Sequence, residues 1–194
     1  MQFSLQYQES YSRSELLLRT FFGMLYIGIP HAFLLFFLGI WAGILGIAAF
    51  FAVLFTGRYP VSMHEYQVGL MAWSTRVMSS IDHLFDGYPP FGLTVSFGKM
   101  TLLIDHPDRS SRGLALIRLF FGAFYILIPH GFCLFFRMIA TGILRMLAWW
   151  VVLFTGTYPR SWYDFNVGTT RWVLRVQAYT GLLTDTYPPF SGKE

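Results

Sequence analysis

Polar and apolar residues follow three regimes along this chain, and all three occur twice in the same order. Near the start, Phe3, Leu5 and Tyr7 alternate with polar residues, and Leu102 and Ile104 repeat the pattern. This two-residue period belongs to a strand covered on one face. A long apolar run follows. From Phe21 to Phe55 the only ionisable side chains are His31 and the Tyr26 phenol, whereas about 18 such residues already suggest a membrane span. Its counterpart, Leu119 to Phe154, carries His130, Arg137 and Arg145. The third regime is helical: Tyr66, Leu70, Trp73, Val77, Ile81 and Leu84 recur at steps of three and four, interleaved with Glu65, Gln67, Arg76, Ser79, Ser80 and Asp82. Phe165, Trp172, Val173, Val176, Tyr179 and Leu183 match them. Such amphipathic helices suit the membrane–water interface. The pattern predicts an all-α integral membrane fold in which each half has a hydrophobic helical hairpin, an amphipathic interfacial helix and a short β segment outside the membrane.

The halves are tandem copies. Residues 1–91 and 100–190 align at an offset of 99 without a gap, and about 41 of the 91 positions are identical. Residues 92–99 form a linker and 191–194 a tail. Ser12-Arg-Ser-Glu15 fits a capping box, with Asp108 or Ser110 as the cap in the second copy. A single 35-residue helix would be about 52 Å long against a hydrocarbon core of about 30 Å. The run is therefore expected to fold back at Leu38–Gly43, and at Arg137–Gly142 in the second copy. This gives hairpins over about 14–56 and 111–155. The return arm, at about 24 Å, barely spans, so a re-entrant hairpin that penetrates only part of the bilayer remains open. Arg137 and Arg145 flank the second tip, where they would snorkel to lipid headgroups. Gly57 and Gly156, each three residues before a proline, end the hairpins. Interfacial helices over about 62–85 and 161–184 restart at Ser62-x-x-Glu65 and Ser161-x-x-Asp164.

Composition supports the membrane assignment: 55% of residues are hydrophobic and 12% charged, against about 25% charged in soluble domains. The single cysteine, Cys133, excludes an internal disulfide. A net charge of +4 is too small to argue for nucleic acid. The N-terminus has no basic region followed by an apolar core, so no cleaved signal peptide is expected. Twelve of the 14 Lys and Arg residues lie outside the hairpins or at their bases. The positive-inside rule then places both termini in the cytoplasm. Because each unit returns to its starting side, the copies share one orientation about a pseudo-two-fold axis along the membrane normal.

The order Arg13, Arg19, Ile29-Pro30-His31, Phe55-Thr56-Gly57-Arg58-Tyr59-Pro60, Trp73-x-x-Arg76 and Asp86-Gly-Tyr-Pro-Pro-Phe91 resembles a bacterial integral-membrane family known as domain of unknown function 4389. The second copy matches through Ser111-Arg112, Ile128-Pro129-His130, Trp172-x-x-Arg175 and Tyr187-Pro-Pro-Phe190. The resemblance implies a membrane location and a unit that occurs singly or in tandem. It implies no activity.

Three sets of residues are candidates for chemistry. His31 and His130 follow a proline within each apolar run. They either face each other across the pseudo-two-fold as a cofactor or proton site, or satisfy the backbone freed by the proline. Trp73 with Arg76, and Trp172 with Arg175, lie one turn apart on a helix face and are candidates for a lipid headgroup. Arg19 with Asp86, and Arg118 with Asp185, are candidates for structural pairs. Gly39-x-x-x-Gly43 is a weak helix-packing signal, since Met138 stands in the second copy. No nucleophile–base pair, metal-ligand spacing or phosphate loop appears, so no catalytic residue, metal or cofactor is expected. The expected function is a non-enzymatic membrane scaffold or accessory subunit, with a membrane-shaping variant. It would associate with lipids, other membrane proteins or copies of itself. Alternatives are an oligomeric channel or transporter, and a cofactor- or lipid-binding protein.

Overall fold

The computed structural model describes residues 1–194. Four helices carry the fold: α1 (Arg13–Thr56), α2 (Val61–Ile81), α3 (Arg112–Thr155) and α4 (Arg160–Thr180). Strands β1 (Gln2–Leu5) and β2 (Met100–Leu103) pair antiparallel, with Phe3 opposite Leu102 and Leu5 opposite Met100. The alternation of the opening segments thus forms one ribbon shared by both copies. Its inward residues Phe3, Leu5, Leu102 and Ile104 are buried.

The apolar runs do not fold back. Leu38–Gly43 and Arg137–Gly142 are helical, and α1 and α3 each continue for 44 residues, about 66 Å. An interior glycine costs a helix only about 1 kcal/mol, and no proline stands at those positions. Proline acts earlier. Pro30 and Pro129 lack an N–H and would clash with a carbonyl four residues back. Each helix answers with a π turn just before it, Met24–Gly28 and Ala123–Leu127, in which Ile29 N–H reaches the Met24 carbonyl and Ile128 N–H the Ala123 carbonyl.

The chain reverses after Thr56 and Thr155. Gly57 and Gly156 adopt left-handed φ values of 70° and 76°, which a side chain would resist. Pro60 and Pro159 then occupy the N-cap positions of α2 and α4 without a side-chain cap, in place of the expected Ser62 and Ser161 boxes. Ser12 does cap α1, accepting from Glu15 N–H at 3.3 Å. Ser111, rather than Asp108 or Ser110, caps α3 by accepting from Leu114 N–H at 3.3 Å.

The real hairpin in each copy is therefore a long apolar helix and its amphipathic successor. Tyr66 Oη donates to Leu38 O at 2.9 Å and Gln67 Nε2 to Ala42 O at 2.7 Å, so α2 runs back along α1. The interfacial helices are not separate surface elements; their apolar stripes face the long helices.

The two copies clasp each other reciprocally. Arg13 Nη2 donates to Phe154 O and Arg112 Nη2 to Phe55 O, both at 2.9 Å. Tyr11 N–H meets Gly156 O at 2.8 Å, and Ser110 N–H meets Gly57 O at 2.9 Å. Trp149 Nε1 donates to Thr20 Oγ1 at 2.8 Å. The long helices thus run antiparallel where they meet, each start supplying cations and N–H donors to the open carbonyls at the other's end. A 21-residue core forms around the ribbon and these junctions, including Leu16, Ala49, Val53 and their counterparts Ala115, Ala148 and Val152. Outside it, Phe21, Phe33, Phe36 and Phe55 on α1 and Phe120, Phe124, Phe132 and Phe154 on α3 are each more than 60% exposed. Both long helices are long and apolar enough to cross a membrane.

Candidate functional site

Three motifs that recur in both copies converge on one point in each. Trp73 Nε1 donates to His31 Nδ1 at 2.8 Å, and Trp172 Nε1 donates to His130 Nδ1 at 3.0 Å. Phe91 lies flat on His31 with centroids 3.9 Å apart, and Phe190 lies on His130 at 4.0 Å. Tyr88 Oη and Tyr187 Oη donate to the carbonyls of Tyr26 and Tyr125, at 3.1 and 2.8 Å. The proline-histidine step, the Trp-x-x-Arg turn and the Tyr-Pro-Pro-Phe segment are three parts of one aromatic latch. With Nδ1 accepting from indole, each imidazole carries its proton on Nε2.

The segment after each Tyr-Pro-Pro-Phe crosses its amphipathic helix at a glycine. A Cβ on Gly69 would lie 2.7 Å from Leu93 O, and one on Gly168 would lie 3.0 Å from Gly192 O. Arg76 Nη2 donates to Gly92 O, and Arg175 Nη1 donates to Lys193 O at 2.8 Å. Burial lowers the Arg76 and Arg175 pKa values from their ordinary range.

These placements correct several expectations. His31 and His130 do not face each other; each is enclosed within its own copy. Trp73, Arg76 and Trp172 are buried, and Arg76 and Arg175 each donate to a backbone carbonyl of the segment behind Tyr-Pro-Pro-Phe; the first Trp-x-x-Arg pair is thus enclosed by protein, while Arg175 of the second stays half-buried. Arg118 does pair with Asp185, at 2.8 Å. Arg19 does not pair with Asp86: its guanidinium donates to Ser80 O, Phe85 O and Glu15 Oε2, at 3.0, 2.7 and 3.2 Å. The cause is Glu15, whose counterpart is Leu114. Both aspartates keep another common role, accepting from Ser12 N–H and Ser111 N–H at 2.7 Å. Gly39 and Gly43 have no neighbour within 4 Å of an added Cβ and pack against nothing.

Arg137 and Arg145, expected at a hairpin tip, lie within α3 and face other helices. Arg137 Nε donates to Thr169 Oγ1 at 2.9 Å, and its guanidinium stacks over Phe165 at 4.2 Å. In the first copy Tyr66 Oη and the Leu38 carbonyl hold the same junction. Arg145 reaches across to the first copy, where its Nη1 lies 2.6 Å from Asp82 Oδ1.

This ion pair stands in a cleft of about 770 Å³ walled by both copies. Gln67, Ser74 and Ser79 from α2 and Thr170, Gln177 and Thr180 from α4 line it. Ser74, Thr170 and Thr180 donate their hydroxyl protons to carbonyls of the preceding turn, and Gln67 gives one of its two amide protons to Ala42 O. Their oxygens remain as acceptors toward the cleft. Burial pushes Asp82 up to about 6 despite the adjacent guanidinium, which pulls it back. The copies differ here: Arg145 aligns with Gly46, and Asp82 aligns with Gly181. Both glycines also line the cleft. Each copy thus contributes one charge, and the symmetry-related corner is left open by two glycines. Asp82 escaped notice as a site residue in the sequence, although its exchange for Gly181 at the 99-residue offset was readable there.

No group of three His, Cys, Asp or Glu side chains is placed to hold a metal ion. The family model described as domain of unknown function (DUF4389) matches residues 13–92 and again 115–192, and the chain belongs to this family as two tandem copies. No curated protein and no solved structure matches the chain.

Proposed function

We propose that this two-copy DUF4389 protein is a non-enzymatic, membrane-embedded scaffold or accessory subunit whose long helices lie antiparallel along one leaflet. The observation that carries the reading is the pair of unbroken 44-residue helices clasped at both ends. At about 66 Å each, they exceed a hydrocarbon core of about 30 Å by more than two-fold. The largest tilts seen in membranes, about 40°, raise the path only to about 39 Å.

The ribbon favours the same arrangement. It is shared by the two copies, so it lies near the axis that relates them. With upright antiparallel helices that axis would lie in the membrane plane and hold the open strand edges at mid-depth. Unpaired backbone groups are not tolerated there. With the helices flat, the axis follows the membrane normal and the ribbon faces water. Exposed phenylalanines of α1 and α3 then enter the acyl layer. The polar ends, marked by Arg13, Arg58 and Arg112, stay at one surface, which the positive-inside rule makes the cytoplasmic one.

Shallow insertion of this kind enlarges one leaflet more than the other. Purified protein reconstituted at rising density should tubulate liposomes or sort to narrow ones. Flat, unsorted vesicles at high density would refute membrane shaping. In native membranes the partners are lipids, with other membrane proteins or a second copy against the exposed apolar face.

A further inference from the structure

We infer that the shared cleft is a binding site for a zwitterion bearing a phosphodiester and a primary ammonium, the headgroup chemistry of an ethanolamine phospholipid. The ligand class draws on the membrane-embedded reading, because that puts phospholipid within reach. The site itself rests on the cleft.

Four observations converge. The cleft holds one cation and one anion, Arg145 and Asp82, and they are paired only with each other. Only Nη1 of the Arg145 guanidinium is engaged, and its side chain is 30% exposed, so it has donors to spare for a phosphate oxygen. The hydroxyls of Ser74, Thr170 and Thr180 already donate to carbonyls of the preceding turn, so toward a ligand their oxygens act as acceptors, which suits an ammonium with three N–H groups. A volume of about 770 Å³ lies within the usual range of small-molecule sites, about 300–1,000 Å³.

Charge balance selects the zwitterion. A lone anion on Arg145 would strand the Asp82 carboxylate, and a lone cation on Asp82 would strand the guanidinium. Each would leave a half-buried charge without its partner, a cost that grows with the burial of the pair. A phosphoethanolamine group replaces one ion pair by two. A choline headgroup carries no N–H to give Asp82 or the ring of acceptors. The repeat adds an independent argument: the pair occurs where the two copies depart from each other, and Gly46 and Gly181 keep the opposite corner open.

Native mass spectrometry of the full chain in mild detergent tests this, with phosphatidylethanolamine, phosphatidylglycerol and phosphatidylcholine offered in equal amounts. Wild type should retain the ethanolamine lipid at least about tenfold over either competitor, a difference of about 1.4 kcal/mol. Asp82→Asn should reverse the preference toward phosphatidylglycerol, and Arg145→Gln should lose retention of all three. Gly46→Leu narrows the cleft at the corner opposite the pair, where an added Cβ meets only Gln67 Nε2 at 3.8 Å. It keeps the inference testable if a charge variant fails to fold. Folded Gly46→Leu protein should lose the lipid. Equal retention of the three lipids, or an unchanged profile in Gly46→Leu, would overturn the site.

Titration with glycerophosphoethanolamine separates the two sources of the headgroup. Saturable binding lost in Gly46→Leu supports a water-soluble ligand, retention of the lipid alone supports a membrane one, and neither overturns the inference. These measurements in detergent do not depend on how the helices lie in a bilayer, so the cleft and the embedding fail separately.

Discussion

The aromatic latches and the shared cleft are built by opposite treatments of one duplication. At the latches the copies agree: His31, Trp73 and Phe91 reappear as His130, Trp172 and Phe190 with geometry matched to about 0.2 Å. Each latch closes within its own copy and ties a long helix, its returning partner and the Tyr-Pro-Pro-Phe segment together. At the cleft the copies disagree, and the disagreeing residues meet. Arg145 of one copy finds Asp82 of the other, while their counterparts are glycines. Repeated residues hold each unit together; diverged residues furnish the space between the units. A tandem chain can acquire an asymmetric site in this way, which a symmetric pair of identical units cannot.

The largest expected effect tests the agreement. Trp73→Ala and Trp172→Ala should each destabilise the protein by about 3–5 kcal/mol, with equal shifts in denaturant unfolding in detergent. A cost confined to one copy would break the equivalence. Next come the arginines beneath the latches. A double-mutant cycle between Arg118 and Asp185 should show coupling of about 0.5–3 kcal/mol. The same cycle between Arg19 and Asp86 should show none beyond about 0.5 kcal/mol. Rescue of Arg19→Glu by Asp86→Arg would contradict the rerouting through Glu15.

The smaller effects lie in the cleft. Asp82 should titrate near 6, because burial raises it more than Arg145 lowers it. Arg145→Gln removes only the lowering contribution, so the midpoint should move upward. Infrared difference spectra of the carboxyl stretch, with Asp82→Asn as the control, read it directly; a downward move would mean that Arg145 does not stabilise the ionised carboxylate. A carboxylate whose folded pKa is raised loses stability as pH rises from about 4 to about 6. Smallest of all, Gly46→Leu should change unfolding stability by less than about 1 kcal/mol, as expected of a side chain entering open space.

Much of the local structure was legible in sequence. The alternation of Phe3 and Leu5 with its echo at Leu102 and Ile104 announced two strands, Gly57 and Gly156 announced the turns, and Ser12 announced a cap. The corner at Leu38–Gly43 was not there because the length argument assumed an upright helix; a helix lying flat has no such limit. The His–Trp bond spans 42 residues in both copies, a distance that local periodicity does not register. Identical spacing of identical residues at both sites was the available signal. Arg118–Asp185 was legible, whereas Arg19–Asp86 failed through a single exchange, Glu15 for Leu114. The cleft was half legible: Arg145 stood out as a departure from Gly46, but its partner Asp82 looked like one more polar position on an amphipathic helix.

The embedding of α1 can be read from its two ends. In a Cys133→Ser background, single cysteines at exposed Ser14 and Arg58 would be labelled in sealed vesicles by a membrane-impermeant maleimide. These positions mark opposite ends of one 44-residue helix. If α1 lies along one leaflet, both react from the same side of the membrane, and Cys133 in wild type, exposed on α3 and facing the acyl layer, stays unlabelled. Labelling of Ser14→Cys from one side and Arg58→Cys only from the other would mean that α1 crosses the bilayer.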